Sequence, residues 1–453
     1  MHKKRVLFFI RDAGGVSYYR IQTPAIELQR IDNNKDFDIE VLNRLDFNDP
    51  NTIEYLKKFD IIQYHRELVS NKELAHSILT QLKESGVKLV VDIDDYWVLH
   101  KNHPQFEKSL RTNHKDWVLF NIKISDYVTT TTELLANEIK KIRGDNNVFV
   151  FENGINPDWM IQFQDNKKKD PNNLIRITYM GGSTHLSDLK QLDKVVNILN
   201  SDLEIKNRFK INLAGWDGRG KTVKNTLNTD LISELMDIDL WNNTVINEIN
   251  KSQNNIWKVK SIPNNLKEKY QNNMFIRSEV DIETNESVYF DYEKILTDNY
   301  SIIEDKPYYN WLMKFEINGK YHNESNFSRV WTKPSNEYAK VLDETDIVIA
   351  PLENNKFNIL KSELKQTECW SRKLPIVCSD IAPYNVYGEH MVNCILIPDK
   401  KNNKKHWVKN LKKLILDQEL RNKLGENLHK SFSKKFHLTN ITKRRLDFYK
   451  KII

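Results

Sequence analysis

The stretch VLDETDIVIAPLENNKFNILKSELKQTECWSRKLPIVCSD, residues 341–380, decides the fold. It carries one apolar, β-rich run at 341–351 and a second at 375–379. Between them, Leu364 and Glu368 lie four apart on one helical face, with Lys361 and Lys365 one turn up from each. Strand, helix and strand in this order form the repeating unit of a parallel sheet covered on both faces.

The same alternation runs back toward the start. Before 341 it appears as a strand at 175–180, a helix from about Asp188 to Leu199 and a strand at 210–214. In the first half, strand candidates at 6–10, 37–42, 61–64, 88–93, 127–130 and 148–151 alternate with helical periods at 24–30, 72–84 and 133–142. Thr132-Glu133 reads as a helix start. The polar run 164–173 is a linker. The chain therefore holds two α/β halves. At 453 residues it exceeds the usual single core, which agrees. Residues 217–334 interrupt the second half. Their scattered aromatics (Trp241, Trp257, Tyr289, Trp311, Phe315) argue against disorder, so they read as an inserted subdomain, with Asn318-Gly319 as a hairpin turn.

Composition narrows the class. No apolar run approaches the roughly 20 residues that span a bilayer, and the apolar start breaks at Arg11-Asp12, too soon for a secretion signal. Cys369, Cys378 and Cys394 are odd in number and form no CxxC pair, which fits a reducing compartment; the expectation is a soluble cytoplasmic protein. From Lys400 onward, 17 Lys/Arg stand against 4 Asp/Glu, a net +13 where the whole chain carries +7. So basic a tail reads as a solvated helical face, or as a surface for nucleic acid or an anionic membrane.

Four constellations carry chemistry. Gly14-Gly15 and Arg20 follow the first strand, where backbone can approach a ligand and a guanidinium can grip a phosphate or a carboxylate; the plain alternative is an ordinary turn with Tyr18 and Tyr19 as packing. Asp92, Asp94 and Asp95 crowd the end of a buried strand and need a cation, hydrogen bonds or a metal. An Asp there acts as a base or charge stabiliser, or Asp92 and Asp94 hold a divalent metal. Gly181, Gly182, Ser183 and His185 open a helix after the first strand of the second half, a seat for an anion. Lys361 and Ser362 at a helix start suit a diphosphate, and Glu368 can accept both hydroxyls of a ribose; the alternative is a surface helix with charge pairs.

These residues resemble the two-domain GT-B glycosyltransferases, in particular the glycogen-synthase-like and group 1 (family 4-like) members. DIVIAPL (346–352) and FNILKSELKQTECWSRKLPIVCSDIAPY (357–384) look like that family's donor-binding helix and the strand after it. ENGIN (152–156) resembles the segment closing its N-terminal domain. GGVSYYRIQTP (14–24) and DIDDYW, with His103-Pro104 beyond it, look like a subgroup often found in bacteriophages. The sequence departs from the family at three places. Leu360 stands where the first of a Glu pair belongs, Asp94-Asp95 replaces a His-Asp, and the usual Arg and Lys after the donor-domain glycines are absent.

The resemblance implies an α/β GT-B fold of two Rossmann-like domains facing across a cleft. Residues 1–165 would form the acceptor domain, joined by a crossover helix at 439–453. Residues 172–216 and 335–438 would form the donor domain, and 217–334 the insert. It implies a glycosyltransferase, retaining and metal-independent, with no cofactor beyond a nucleotide-sugar co-substrate such as a UDP- or GDP-sugar. Lys361, Ser362, Lys365, Gly182, Ser183 and His185 would hold the diphosphate and Glu368 the ribose. Gly14, Gly15 and Arg20 would close over the phosphates, with Asp94 and Asp95 at the reacting sugar. The acceptor candidates are a hydroxymethylated DNA base of a phage, in which case the compartment is the host cytoplasm, or a polysaccharide, lipid or protein. Two rivals stay open: a metal-dependent transferase using Asp92 and Asp94, and a non-catalytic protein whose basic tail binds nucleic acid.

Overall fold

The computed structural model describes residues 3–11, 14–33, 35–43, 45–103, 105–182, 185–215, 223–227, 275–280, 287–290, 302–303, 327–330, 335–400 and 403–453. The first six strands are β1 (Lys4–Phe9), β2 (Phe37–Leu42), β3 (Ile61–His65), β4 (Lys88–Ile93), β5 (Tyr127–Thr130) and β6 (Val148–Val150). They form one sheet in the order β2-β1-β3-β4-β5-β6, every pair parallel.

A parallel sheet needs cover on both faces, and alternation along β1 shows how it is met. Leu7 and Phe9 join the core under the helices Lys72–Glu84, His114–Ile124 and Glu133–Arg143. Val6 and Phe8 join the opposite core under Thr23–Asp32 and Leu438–Ile452. The helix expected after Thr132 starts there, with the Thr132 hydroxyl accepting the Leu135 N–H at 3.2 Å. It stops at Gly144, whose φ of 73° is the left-handed cap.

The second sheet opens beyond the linker with β7 (Ile175–Met180) and β8 (Phe209–Ala214). The strands β9 (Val223–Leu227), β10 (Phe275–Val280), β11 (Ser287–Phe290) and β12 (Ile302–Ile303) make a small sheet of their own, ordered β12-β11-β10-β9 and paired antiparallel. The turn expected at Asn318-Gly319 and the aromatics Trp241, Trp257, Trp311 and Phe315 lie outside the described residues. The second main sheet is completed by β13 (Phe327–Val330), β14 (Ile347–Ala350), β15 (Ile376–Ser379) and β16 (Ile395–Ile397), in the order β13-β8-β7-β14-β15-β16, all parallel. Two sequence expectations need correction. β13 falls within the stretch assigned to the insert, yet it pairs along β8. The single helix expected near 188–199 is split by Lys194 at φ 60°, leaving Leu186–Leu189, a 3₁₀ turn and Val195–Ser201.

The halves are laced together. Ile155 bridges to His437, and the Leu438 N–H donates to the Ile155 carbonyl at 2.9 Å. Gly154 permits this approach, since a Cβ there would lie 2.7 Å from Ile441 Cδ1 and 3.0 Å from the Leu438 Cα. The helix Leu438–Ile452 then crosses onto the first domain. Leu360, from the second half, is buried in the core of the first.

Candidate active site

The carboxyl edge of the first sheet sorts the three acids by partner. Asp92 is fully buried. It takes the Arg20 guanidinium through both oxygens at 2.9 Å and the Thr129 hydroxyl at 2.6 Å. Arg20 also donates to the Phe151 carbonyl at 2.7 Å and to Asn153 Oδ1 at 3.0 Å. This corrects the assignment of Arg20 to a donor phosphate, because the guanidinium is committed inside the first domain and is 1% exposed. Both Asp92 oxygens, one half of the Asp92/Asp94 pair, are thus engaged by protein donors.

Asp94 meets His65 Nε2 at 2.7 Å and the Arg66 guanidinium at 2.8 Å. Burial works against its charge, but the Arg66 and His65 beside it hold the carboxyl well below the usual range. Asp95 is half-buried and accepts from Arg66 at 3.1 Å. Burial and then the Asp94 charge push its carboxyl up, and Lys361 pulls it down from across the cleft. The partners His65 and Arg66 stand at the end of β3, in QYHREL, where a strand-end His-Arg was the missed signal.

On the second domain, β7 runs out at Met180 into Gly181-Gly182; Ser183 lies outside the described residues. His185 Nδ1 pairs with Asp188 at 2.7 Å, while the other Asp188 oxygen accepts the Glu353 N–H at 2.7 Å and the Asn358 amide at 2.8 Å. Burial, then the Lys361 charge, lowers the His185 pKa.

Between the domains lies a cleft lined by His100, His103, His185, Ser187, Asp188, Asn355, Phe357, Asn358 and Lys361. The structure thus brings Lys361 and His185 together, and adds His100 and His103 from the loop beyond β4. The His103 ring sits 5.4 Å from Phe357, and burial followed by Lys361 and His185 lowers its pKa to about 4. The Lys361 ammonium rests 4.7 Å from the Phe357 ring centre, and among the described residues no carboxylate pairs with it within 4 Å.

The donor helix begins later than expected, at Leu364 with Glu363 at its cap, so Lys361 and Ser362 occupy the turn before it. Ser362 accepts from the Asn153 amide at 2.8 Å, across the seam between domains. Lys365 is drawn to Glu368 at 2.8 Å. Glu368 is buried and accepts the hydroxyls of Tyr19, at 3.0 Å, and of Tyr338. Gly14 and Gly15 begin the turn after β1, and a Cβ on Gly15 would meet nothing within 4 Å.

Chemically, the cleft offers the Lys361 ammonium, the imidazoles of His103 and His185 whose charge burial disfavours, amide and hydroxyl donors, and the carboxyls of Asp94 and Asp95 opposite. Such a lining suits an anionic group bound next to a polar, uncharged one. No protein-family model matches the chain, and no curated protein matches it. Solved structures do. The chain is similar to a glycosyltransferase from Rickettsia africae ESF-5, at 12% identity and a TM-score of 0.52 over 100% of this chain and 99% of that one. It is similar to a sucrose-phosphate synthase from Thermosynechococcus elongatus, at 9% identity and 0.55 over 99% of each. A third is the Anabaena protein HepE in complex with UDP-glucose, at 9% identity and 0.53 over 99% of each. The shared fold is the GT-B arrangement of two parallel-sheet domains.

Proposed function

We propose that the chain is a glycosyltransferase that takes a sugar from a nucleotide-sugar donor, with the diphosphate held by the second domain and the acceptor entering over the first. The observation that carries this reading is the convergence of Lys361, His185 and His103 on one cleft between the carboxyl edges of two parallel sheets, where ligands of open α/β sheets bind. HepE, of the same fold, was solved with UDP-glucose, which supports a uridine donor.

In the reaction, the bond between the anomeric carbon and the diphosphate oxygen breaks, an acceptor hydroxyl oxygen bonds to that carbon, and its proton is released. Products are a glycoside and a nucleoside diphosphate. Charge grows on the departing diphosphate, and Lys361, facing it beside the turn at Gly182, stabilises it in a site shaped beforehand. Glu368 takes the ribose hydroxyls. Asp95 faces the sugar, as the half-exposed acid within the field of Lys361, while Asp94 keeps His65 and Arg66 in position. Fixed cations supply the countercharge, so transfer proceeds without a metal and, as in the resembling families, with retention. The acceptor we favour is a hydroxymethylated base in DNA, served by the basic C-terminal helices.

A panel of UDP- and GDP-sugars read by thermal shift, followed by product analysis with hydroxymethylated DNA and polysaccharide acceptors, tests the reading. Lys361→Ala should lower turnover by about 10²–10³ with the fold intact, the scale of losing one preorganised donor. Normal turnover in that variant would remove the phosphate assignment.

A further inference from the structure

Glu368 is fully buried, and its carboxylate already has three partners. Oε1 accepts the hydroxyls of both Tyr19 and Tyr338, which lie 2.6 Å from each other, and Oε2 accepts the Lys365 ammonium. A carboxylate has about four acceptor positions. The two tyrosines use both on one oxygen, the lysine one on the other.

The two phenols belong to different domains. Tyr338 opens the 3₁₀ segment Tyr338–Glu344, which leads into β14 in the same lobe as Glu368. Tyr19 sits on the turn Tyr18–Gln22 after β1, and crosses the seam to reach the acid. It is held edge-on to Tyr18 and tilted against Phe163, and is 3% exposed. A ribose diol arriving at Glu368 must donate two hydrogen bonds where one position remains. At least one of the present partners has to leave, and Tyr19 is the one that is carried off by any parting of the lobes.

We propose that Tyr19 is an internal occupant of the nucleoside site: in the donor-free chain its hydroxyl replaces a ribose hydroxyl on Glu368, clasps the lobes together, and is displaced when the donor binds. The proposal rests on the assignment of Glu368 to the ribose. It makes the donor compete with the protein itself, so removing one hydroxyl should improve binding.

Isothermal titration with UDP reads this directly. Tyr19→Phe should lower Kd about 3- to 10-fold, the worth of one net hydrogen bond, while Glu368→Gln should lose binding in both backgrounds. An equal or higher Kd for Tyr19→Phe, with Glu368→Gln still losing binding, overturns the clasp alone. Unchanged binding in Glu368→Gln overturns the ribose assignment and the clasp with it. A second readout needs no variant: on adding UDP to the native chain, amide hydrogen exchange over residues 15–22 should speed up as Tyr19 is released. Unchanged or slower exchange there would also overturn the proposal.

Discussion

The guanidinium of Arg20 grips both carboxylate oxygens of Asp92 at 2.9 Å, with neither side chain more than 1% exposed. Removing one partner strands the other as a lone buried charge. Arg20→Ala should therefore cost about 3–5 kcal/mol in urea unfolding. Among the described residues the pair hydrogen-bonds to none that line the cleft, so UDP affinity in the folded fraction should stay within twofold. A large loss of affinity at native stability would return Arg20 to the donor site.

Asp95 and Asp94 separate function from structure. Asp95→Asn should lower kcat by about 10²–10⁴ with little change in melting temperature, as expected for loss of a positioned acid or base. Asp94→Asn should instead lower the melting temperature, since it removes the carboxylate charge that His65 and Arg66 face. Steady-state kinetics beside a thermal scan distinguishes the two.

Proton linkage should mark the binding step. His103, at a pKa of about 4, and the lowered His185 are uncharged at neutral pH. A diphosphate beside them favours the charged imidazolium and raises both pKa values. UDP binding near pH 5.5 should take up protons and be tighter than at pH 7.5. Titration calorimetry in buffers of different ionisation enthalpy measures the uptake, and zero uptake would place the diphosphate elsewhere.

Glu363 is buried with one carboxyl oxygen lacking a partner among the described residues, and burial pushes its pKa to about 8. The folded acid keeps its proton where the unfolded one, near 4.5, has lost it. Stability therefore falls as pH rises from about 4.5 to 8, with the folded state binding more protons than the unfolded one. Glu363→Gln should flatten that slope and raise the melting temperature at pH 8 by several degrees. A Gln variant with the native slope would refute it.

Apolar runs bounded by polar breaks placed the six strands of the first sheet and β7, β8, β14 and β15 of the second, because a parallel sheet buried on two faces writes itself as continuous Val, Ile and Leu; β13 and β16 were missed. The helix Lys72–Glu84 shows its ends plainly: an Asn71 cap before it and Ser85-Gly86 after it. The site was less readable. A lone Arg after a strand looks the same whether it faces phosphate or a core acid, and only the position of Asp92 on β4, two strands away from β1, showed where Arg20 goes. His65 and His103 belong to the site through contacts with residues 29 and 254 positions away, Asp94 and Phe357, and no local spacing records such pairs. Tyr19 was legible as packing, not as a hydroxyl aimed at an acid from the other domain.

The helix Leu438–Ile452 places Phe448, Tyr449 and Ile452 in the core beneath β1, with Phe448 4.5 Å from Phe149 and the Tyr449 hydroxyl 2.9 Å from Gln63. On the ribosome, β6 emerges long before that helix, by roughly 15–60 s at about 5–20 residues per second. Through that interval the greasy underside of Val6, Phe8 and Phe151 is roofed by Thr23–Asp32 alone. Half of that core thus waits for the end of the chain, and nascent chains stalled before residue 438 should lean on chaperones to stay in solution.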